Sequence, residues 1–342
     1  MSQMGTAVCA GLHPHAQGDV DLLSGLLSNA DRVVVLFDGA NRSRSSHLHP
    51  FTSSERMEML GLLFPEEVRS GRMLCYGLDI EPYDGRKQID SVRRVLSKLN
   101  VDWNAPDLVG ITPLDRRRHR VERLLLGLKK SEAAPSTEVN IQSLYRRAMT
   151  GIPKPVRSYV KQWKETDAFR LLAEEAKFCA AYQRKWRHSP YPPTFVAADA
   201  VVECGGKLLL IERANPPFQN LRALPGGFVD QDEPLFRTVL REAAEETGIP
   251  EDILEQYFVS TRTFDDPDRD PRGRFISKAF LFRIPGPAPT VVAGDDAKKA
   301  NWEQFRDLYP SMFAFDHWNM VCEMLDVTWN PEGFYECPPS MV

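Results

Sequence analysis

The sequence predicts two α/β-type domains in tandem: a doubly wound parallel sheet first, then an α+β unit. Three observations carry this. Apolar strands alternate with amphipathic helices through the first half of the chain, the pattern of a sheet covered on both faces. The texture changes after Thr194, where a glycine-turn hairpin begins. The length, 342 residues, suits two domains better than one.

In chain order, "TAVCAGL" and "DRVVVLFDG" are apolar on consecutive residues, as buried parallel strands are. A helix from about Asp19 to Leu27 joins them. "SSERMEMLGLLF" predicts a helix capped by Ser53 or Ser54. "RMLCYGLDI" is a third strand, "RKQIDSVRRVLSKL" a helix and "PDLVGIT" a fourth strand. Helices follow around Ile141–Met149 and Ala168–Trp186. The prolines of "RHSPYPP" end the pattern, so the domains are expected at 1–187 and 188–342. Beyond, "FVAADAVVECGGKLLLIER" predicts a hairpin turning at Gly205-Gly206. A long helix spans about Leu235–Thr247, strands follow at "QYFVSTRTF" and "RFISKAFLFRI", and a last helix runs from about Phe315 to Leu325.

Composition excludes several functions. Net charge is −4 with no basic block, which gives no electrostatic footprint for nucleic acid. No apolar run reaches the roughly 18–20 residues of a membrane span, and "MSQMGTAVCAGLHPH" lacks the features of a signal peptide. The cysteines (Cys9, Cys75, Cys179, Cys204, Cys322, Cys337) are scattered and form no CxxC. A reduced, cytoplasmic protein acting on a small molecule is expected, with self-association left open.

The chemistry concentrates in "GGFVDQDEPLFRTVLREAAEETGI". Glu242, Glu245 and Glu246 sit at i, i+3 and i+4, on one helix face at about 100° per residue. Clustered carboxylates repel one another, and hard divalent cations such as Mg²⁺ or Mn²⁺ want such oxygen ligands. A solvated acidic face would explain one glutamate pair, but the longer spacing goes further. The segment fits G-x5-E-x7-R-E-U-x-E-E-x-G-U, U being aliphatic or small, at Gly227, Glu233, Arg241, Glu242, Ala243, Glu245, Glu246, Gly248 and Ile249.

This stretch resembles the signature of the Nudix hydrolases at every fixed position. The resemblance implies an α/β/α sandwich for the second domain and cleavage of a nucleoside diphosphate linked to X. It implies Glu242, Glu245 and Glu246 as metal ligands, with the Gly226 carbonyl as a further one. Glu233 and Arg241 are implied to hold the box in shape, within the same catalytic set. A general base is sought at Asp295 or Asp296. The flanks "ALPGGFVDQDE", "FDDPDRDPRGRFISKAF" and "FAFDHWNMV" are similar to the ADP-ribose pyrophosphatase branch. There Arg269, Arg272 and Arg274 are candidates to contact phosphate or ribose, since guanidinium donors match phosphate geometry.

The first half resembles nicotinamide mononucleotide adenylyltransferases, which implies a nucleotidyltransferase-like, Rossmann-type domain. Pro50, Phe51, Thr52, Glu55 and Arg56 fit one motif of that family. The departures fall on others. Ala16, Gln17, Gly18 and Asp19 stand where an H-x-G-H turn belongs, with His13 and His15 on the wrong side of Gly18. Gln88 replaces a tryptophan that packs on nicotinamide. "VNIQSLYRR" has Asn140, Gln142 and Tyr145 at triphosphate-gripping positions, with Arg146 and Arg147 adjacent. The family's imidazoles stabilise charge in adenylyl transfer; alanine cannot donate and aspartate repels phosphate. Three readings follow: a Nudix hydrolase with an inactive scaffold ahead of it, which is favoured; a bifunctional enzyme of NAD metabolism; or a nucleotide sensor without turnover.

Overall fold

The computed structural model describes residues 4–10, 12, 16–38, 46–78, 82–105, 107–113, 131–134, 144–145, 149, 151–294, 297–329 and 335–336. The chain divides into two compact units, Met1–Glu174 and Glu175–Val342.

In the first unit β1 (Met4–Ala10), α1 (Gln17–Asn29), β2 (Ala30–Asp38), α2 (Ser53–Leu63), α3 (Pro65–Arg69), β3 (Met73–Leu78), α4 (Gly85–Lys98), β4 (Leu108–Pro113) and β5 (Ser131–Ala134) follow in order. The strands form a parallel sheet in the order β3-β2-β1-β4-β5. Reversal of direction at β1 makes it doubly wound, as the alternation predicts. Successive residues feed opposite cores. Ala7, Cys9, Val33 and Val35 pack with Leu23 and Leu26 of α1, whereas Val8, Ala10, Val34 and Leu36 pack with Val92, Val95 and Leu96 of α4.

The cap of α2 is Thr52 rather than Ser53 or Ser54. Thr52 Oγ1 accepts from the Glu55 amide, and Glu55 returns a carboxylate to the Thr52 amide at 2.7 Å. This reciprocal pair satisfies two free amides at once, which a serine one residue later cannot do. Of the helix expected around Ile141–Met149, most lies outside the described residues; Leu144 and Tyr145 form a 3-10 turn. A short helix unforeseen from sequence, α5 (Arg157–Trp163), precedes α6 (Asp167–Arg184), and the division between units falls within α6.

The second unit contains β6 (Thr194–Cys204), β7 (Lys207–Arg213), β8 (Arg222–Ala223), β9 (Gly226–Phe228), α7 (Leu235–Thr247), α8 (Glu251–Gln256), β10 (Phe258–Phe264), β11 (Arg274–Arg283), β12 (Ala297–Gln304), α9 (His317–Leu325), β13 (Thr328–Trp329) and β14 (Tyr335–Glu336). The main sheet runs β10-β11-β6-β7-β12, with β8 on β7 and β9 on β6. The hairpin turns at Gly205-Gly206 as expected, but β6 and β7 pair only at Glu203↔Leu208 and Cys204↔Lys207. Past that point β9 takes the freed edge of β6, pairing Ala198↔Gly227 and Asp199↔Gly226. Val239, Leu240 and Ala243 of α7 pack on Ala198, Ala200, Val202, Phe280 and Phe282. Ala279 and Leu281, on the opposite face of β11, are buried too, and α9 lies against β10 and β11. Helices thus cover both faces of the sheet, giving the α/β/α sandwich. The last helix starts at His317, not Phe315, because Phe315 has φ +52°, outside the right-handed helical region.

Candidate active site

The carboxylates sit on α7, which is amphipathic and ends at Gly248, a left-handed cap with φ +73°. Glu246 falls on the buried face with Val239 and Ala243 and is 7% exposed, whereas the Glu245 side chain is open to solvent. Glu242 and Glu246, one turn apart, both meet the Gly226-Gly227 backbone. The Gly226 amide donates to Glu246 Oε2 at 2.9 Å. A Cβ on Gly227 would come within 2.4–2.5 Å of the Glu242 carboxyl group. A Cβ on Gly226 would lie 2.3 Å from the Ala198 carbonyl oxygen. Backbone passes too close for a side chain at Gly226, whereas at Gly227 a side chain would displace the Glu242 carboxyl group.

Arg241 ties the acids together. Its Nε and Nη2 hold Glu233, Nη2 at 3.0 Å, and Nη1 donates to Glu242 at 2.9 Å and Glu245 at 3.0 Å. These bonds to Arg241 hold the Glu233 carboxyl below its ordinary range and the guanidinium above its own. Burial pushes Glu242 up, against the pull of Arg241. Burial raises Glu246 to about 8, with the Gly226 amide opposing and the Glu242 and Asp199 charges adding to the rise.

Arg241, Glu242 and Glu246 line a cavity of about 320 Å³; Glu233 and Glu245 are not among its lining residues. Its lining includes the acids Asp199, Glu242 and Glu246, the arginines Arg213, Arg269 and Arg272, and the rings of Phe228, Phe275 and Phe315. Arg269 and Arg272 thus reach the cavity, but both are already engaged. Arg269 grips Asp316 with two nitrogens, at 3.0 and 2.8 Å, and is 7% exposed. Arg272 grips Asp270 and lies over Phe275 at 4.6 Å and Phe315 at 5.3 Å. Arg274 is not among the lining residues and bonds the Asp265 carbonyl. Asp295 and Asp296 lie outside the described residues.

Sequence reasoning missed Asp199, Arg213 and His317. Asp199 is 6% exposed and accepts a hydrogen bond from Ser277. Its one signal was a lone acid in the apolar run "FVAADAVV". His317 Nδ1 accepts from the Leu224 amide at 2.9 Å.

The donor chemistry suits a hard divalent cation. The acids lining the cavity offer only oxygen donors, and Glu246, nearly enclosed, accepts from the Gly226 amide, with the Arg213 charge also favouring its ionised form. Among the described residues no three such side chains already converge on one point. Arg241 Nη1 donates to both Glu242 and Glu245; of the three glutamates, Glu242 and Glu246 line the cavity.

A family model for the NUDIX domain matches residues 193–324. An ADP-ribose pyrophosphatase of Methanocaldococcus jannaschii is 40% identical over 138 residues, covering 40% of this chain and 76% of that protein. The chain belongs to the Nudix family. Its Nudix domain is also similar to the ADPR responsive transcriptional repressor NtrR of Acinetobacter baylyi, 30% identical over 173 residues, covering 50% of this chain and 67% of the relative. A bifunctional NMN adenylyltransferase/ADP ribose pyrophosphatase from Francisella tularensis, complexed with AMP and a Mn ion, superimposes with a TM-score of 0.81 at 22% identity. That match covers 95% of this chain and 99% of the other, and it extends the fold likeness to the nucleotidyltransferase-like domain.

Ahead of the Nudix domain, the turn at Ala16–Asp19 opens α1. Ala16 is the N-cap and makes no side-chain hydrogen bond; Gly18 is half-buried, and Asp19 is fully enclosed in the first turn. An acid in the first turn interacts favourably with the positive end of the helix. Phe51 and Thr52 serve folding: Phe51 packs on Trp163 at 4.5 Å and Thr52 is the α2 cap. His13, His15, Asn140, Gln142, Arg146, Arg147 and the Gln88 side chain lie outside the described residues. Among the described residues no helix is long and apolar enough to cross a membrane.

Proposed function

We propose that the Nudix domain, residues 188–342, is a Mg²⁺- or Mn²⁺-dependent pyrophosphohydrolase that takes ADP-ribose and water to AMP and ribose 5-phosphate. The observation that carries this is Glu242 and Glu246 stacked one turn apart on Gly226-Gly227, in a cavity that Arg213, Arg269 and Arg272 also line. Glu242, Glu245, Glu246 and the Gly226 carbonyl would hold the cation. Bound there, it would neutralise the pyrophosphate and lower the pKa of the attacking water. Glu233 and Arg241 keep the ladder in place through the three-way guanidinium contact. Arg272, with its faces against aromatic rings, orients substrate beside the acids. The pyrophosphatase relative supports ADP-ribose as the substrate.

The first domain is a retained scaffold on this reading, its phosphate turn closed by Asp19. The repressor relative favours one second reading, ADP-ribose sensing without turnover. A hydrolysis screen over ADP-ribose, NADH, ADP-glucose and diadenosine diphosphate separates them. ADP-ribose should give the highest kcat/KM, EDTA should stop turnover, and Mg²⁺ or Mn²⁺ should restore it. Binding of ADP-ribose with no hydrolysis in either metal establishes the sensor instead. An adenylyltransferase assay with ATP and nicotinamide mononucleotide runs beside it, and turnover at ordinary enzymatic rates would overturn the scaffold reading.

A further inference from the structure

His317 opens α9 and faces the cavity that holds Glu242 and Glu246. Its Nδ1 accepts from the Leu224 amide, two residues before Gly226. A ring nitrogen that accepts carries no proton, so the imidazole is neutral with its proton on Nε2. An imidazolium would set one N–H against another across 2.9 Å. The same bond bars the ring from acting as a base at Nε2, because shifting the proton to Nδ1 would collide with Leu224. Burial lowers the affinity of the ring for a second proton, and Arg269 and Arg213 act in the same direction against Asp199 and Asp316. The Phe315 ring packs beside the imidazole, with centroids 5.3 Å apart and planes tilted by 35°. The side chain is 6% exposed and is fixed from two sides, which leaves Nε2 to meet a bound molecule.

We propose that His317 is a substrate-binding residue whose Nε2–H donates to an oxygen of the nucleoside diphosphate in the cavity. The proposal rests on the reading of the cavity as a pyrophosphohydrolase site. A neutral donor suits this place. It engages a phosphoryl or hydroxyl oxygen without the charge pairing that an imidazolium would make with Asp199, Glu242 or Glu246, and without competing for a cation that Glu242 and Glu246 would hold.

Two variants separate this role from a structural one. Asn carries its oxygen where Nδ1 stands, so His317→Asn keeps the Leu224 contact and loses the donor. Gln reaches with its amide nitrogen to where Nε2 stands, so His317→Gln keeps the donor and loses the Leu224 contact. Binding of the non-hydrolysable α,β-methylene ADP-ribose to the full chain is measured by calorimetry with Mg²⁺, beside the thermal midpoint. His317→Asn should keep the midpoint and weaken binding about tenfold, with a matching rise in KM for ADP-ribose. His317→Gln should lower the midpoint and bind closer to wild type. Binding by His317→Asn within twofold of wild type overturns the proposal, as does loss of binding in both variants in step with the midpoint. If wild type binds α,β-methylene ADP-glucose and not the ADP-ribose analogue, the substrate reading fails and the same comparison on that analogue decides His317. If wild type binds neither, both readings fall.

Discussion

The amide of Gly226 donates to Glu246 Oε2 at 2.9 Å, joining β9 to the buried face of α7. The bond fixes a carboxylate that burial otherwise disfavours in its charged form.

Glu246 makes the metal-free protein pH-sensitive. Its carboxyl moves from an ordinary 4.5 to about 8 on folding, so the folded state binds the extra proton. The stability from this group is full below about 4.5 and is lost as pH rises toward 8. Calorimetric scans in EDTA from pH 5 to 8 should show a falling midpoint, and Glu246→Gln should flatten the slope. Added Mg²⁺ should flatten it in wild type as well. The same variant should lose about 10²-fold or more in kcat, the scale of several kcal/mol of transition-state stabilisation. Identical slopes in wild type and variant would refute the assignment of the slope to Glu246.

The two glycines should respond differently to alanine. At Gly227 the new Cβ meets only the end of the Glu242 side chain, which can swing away. Gly227→Ala should therefore cost less than about 1 kcal/mol of stability, yet lower activity about 10–100-fold by displacing Glu242. At Gly226 the Cβ meets the backbone of Ala198 with φ at +154°. Gly226→Ala should cost about 3 kcal/mol or more and yield little folded protein. Urea melts beside metal-dependent rates test the contrast; equal stability losses would contradict it.

What was legible in the sequence follows from range. The glutamate ladder is a local helical period, so spacing alone stacks Glu242 one turn from Glu246; that Glu246 turns inward while Glu245 stays in solvent depends on packing and was not legible. The parallel strands were legible because burial on both faces makes them continuously apolar. β12 was missed because "AKKANWEQ" is mostly polar at an edge, and β9 because three residues carry no period. Arg269 was read with its sequence neighbours as a phosphate contact. Its partner Asp316 lies 47 positions away, and no spacing announces a pair that distant. His317 sits in the flank "FAFDHWNMV", yet its tautomer is set by Leu224, 93 positions earlier.

Thr52 should prove to be a structural residue. Its hydroxyl caps α2 and Glu55 answers it, so the pair carries helix stability whether or not a nucleotide binds nearby. Thr52→Ala should cost about 1 kcal/mol and Thr52→Ser much less. Urea melts of the full chain followed by far-UV circular dichroism measure this. A loss of under a few tenths of a kcal/mol in the alanine variant would mean that the capping box contributes little.

Arg269 and Asp316 form a pair whose side chains are 5% and 1% exposed, with Met320 Sδ also 3.1 Å from the guanidinium. Removing one partner strands a charge in a place water barely reaches. Arg269→Ala should therefore destabilise by about 3–5 kcal/mol. Replacing both with apolar residues of similar size, Arg269→Met with Asp316→Leu, should recover part of that loss, because no lone charge remains. The recovery is partial because Asp316 has further contacts of its own. Denaturation of the two single variants and the double closes the cycle. A different pattern would reassign the residue: if Arg269→Ala keeps its midpoint while KM for ADP-ribose rises tenfold, the guanidinium serves the substrate and not Asp316.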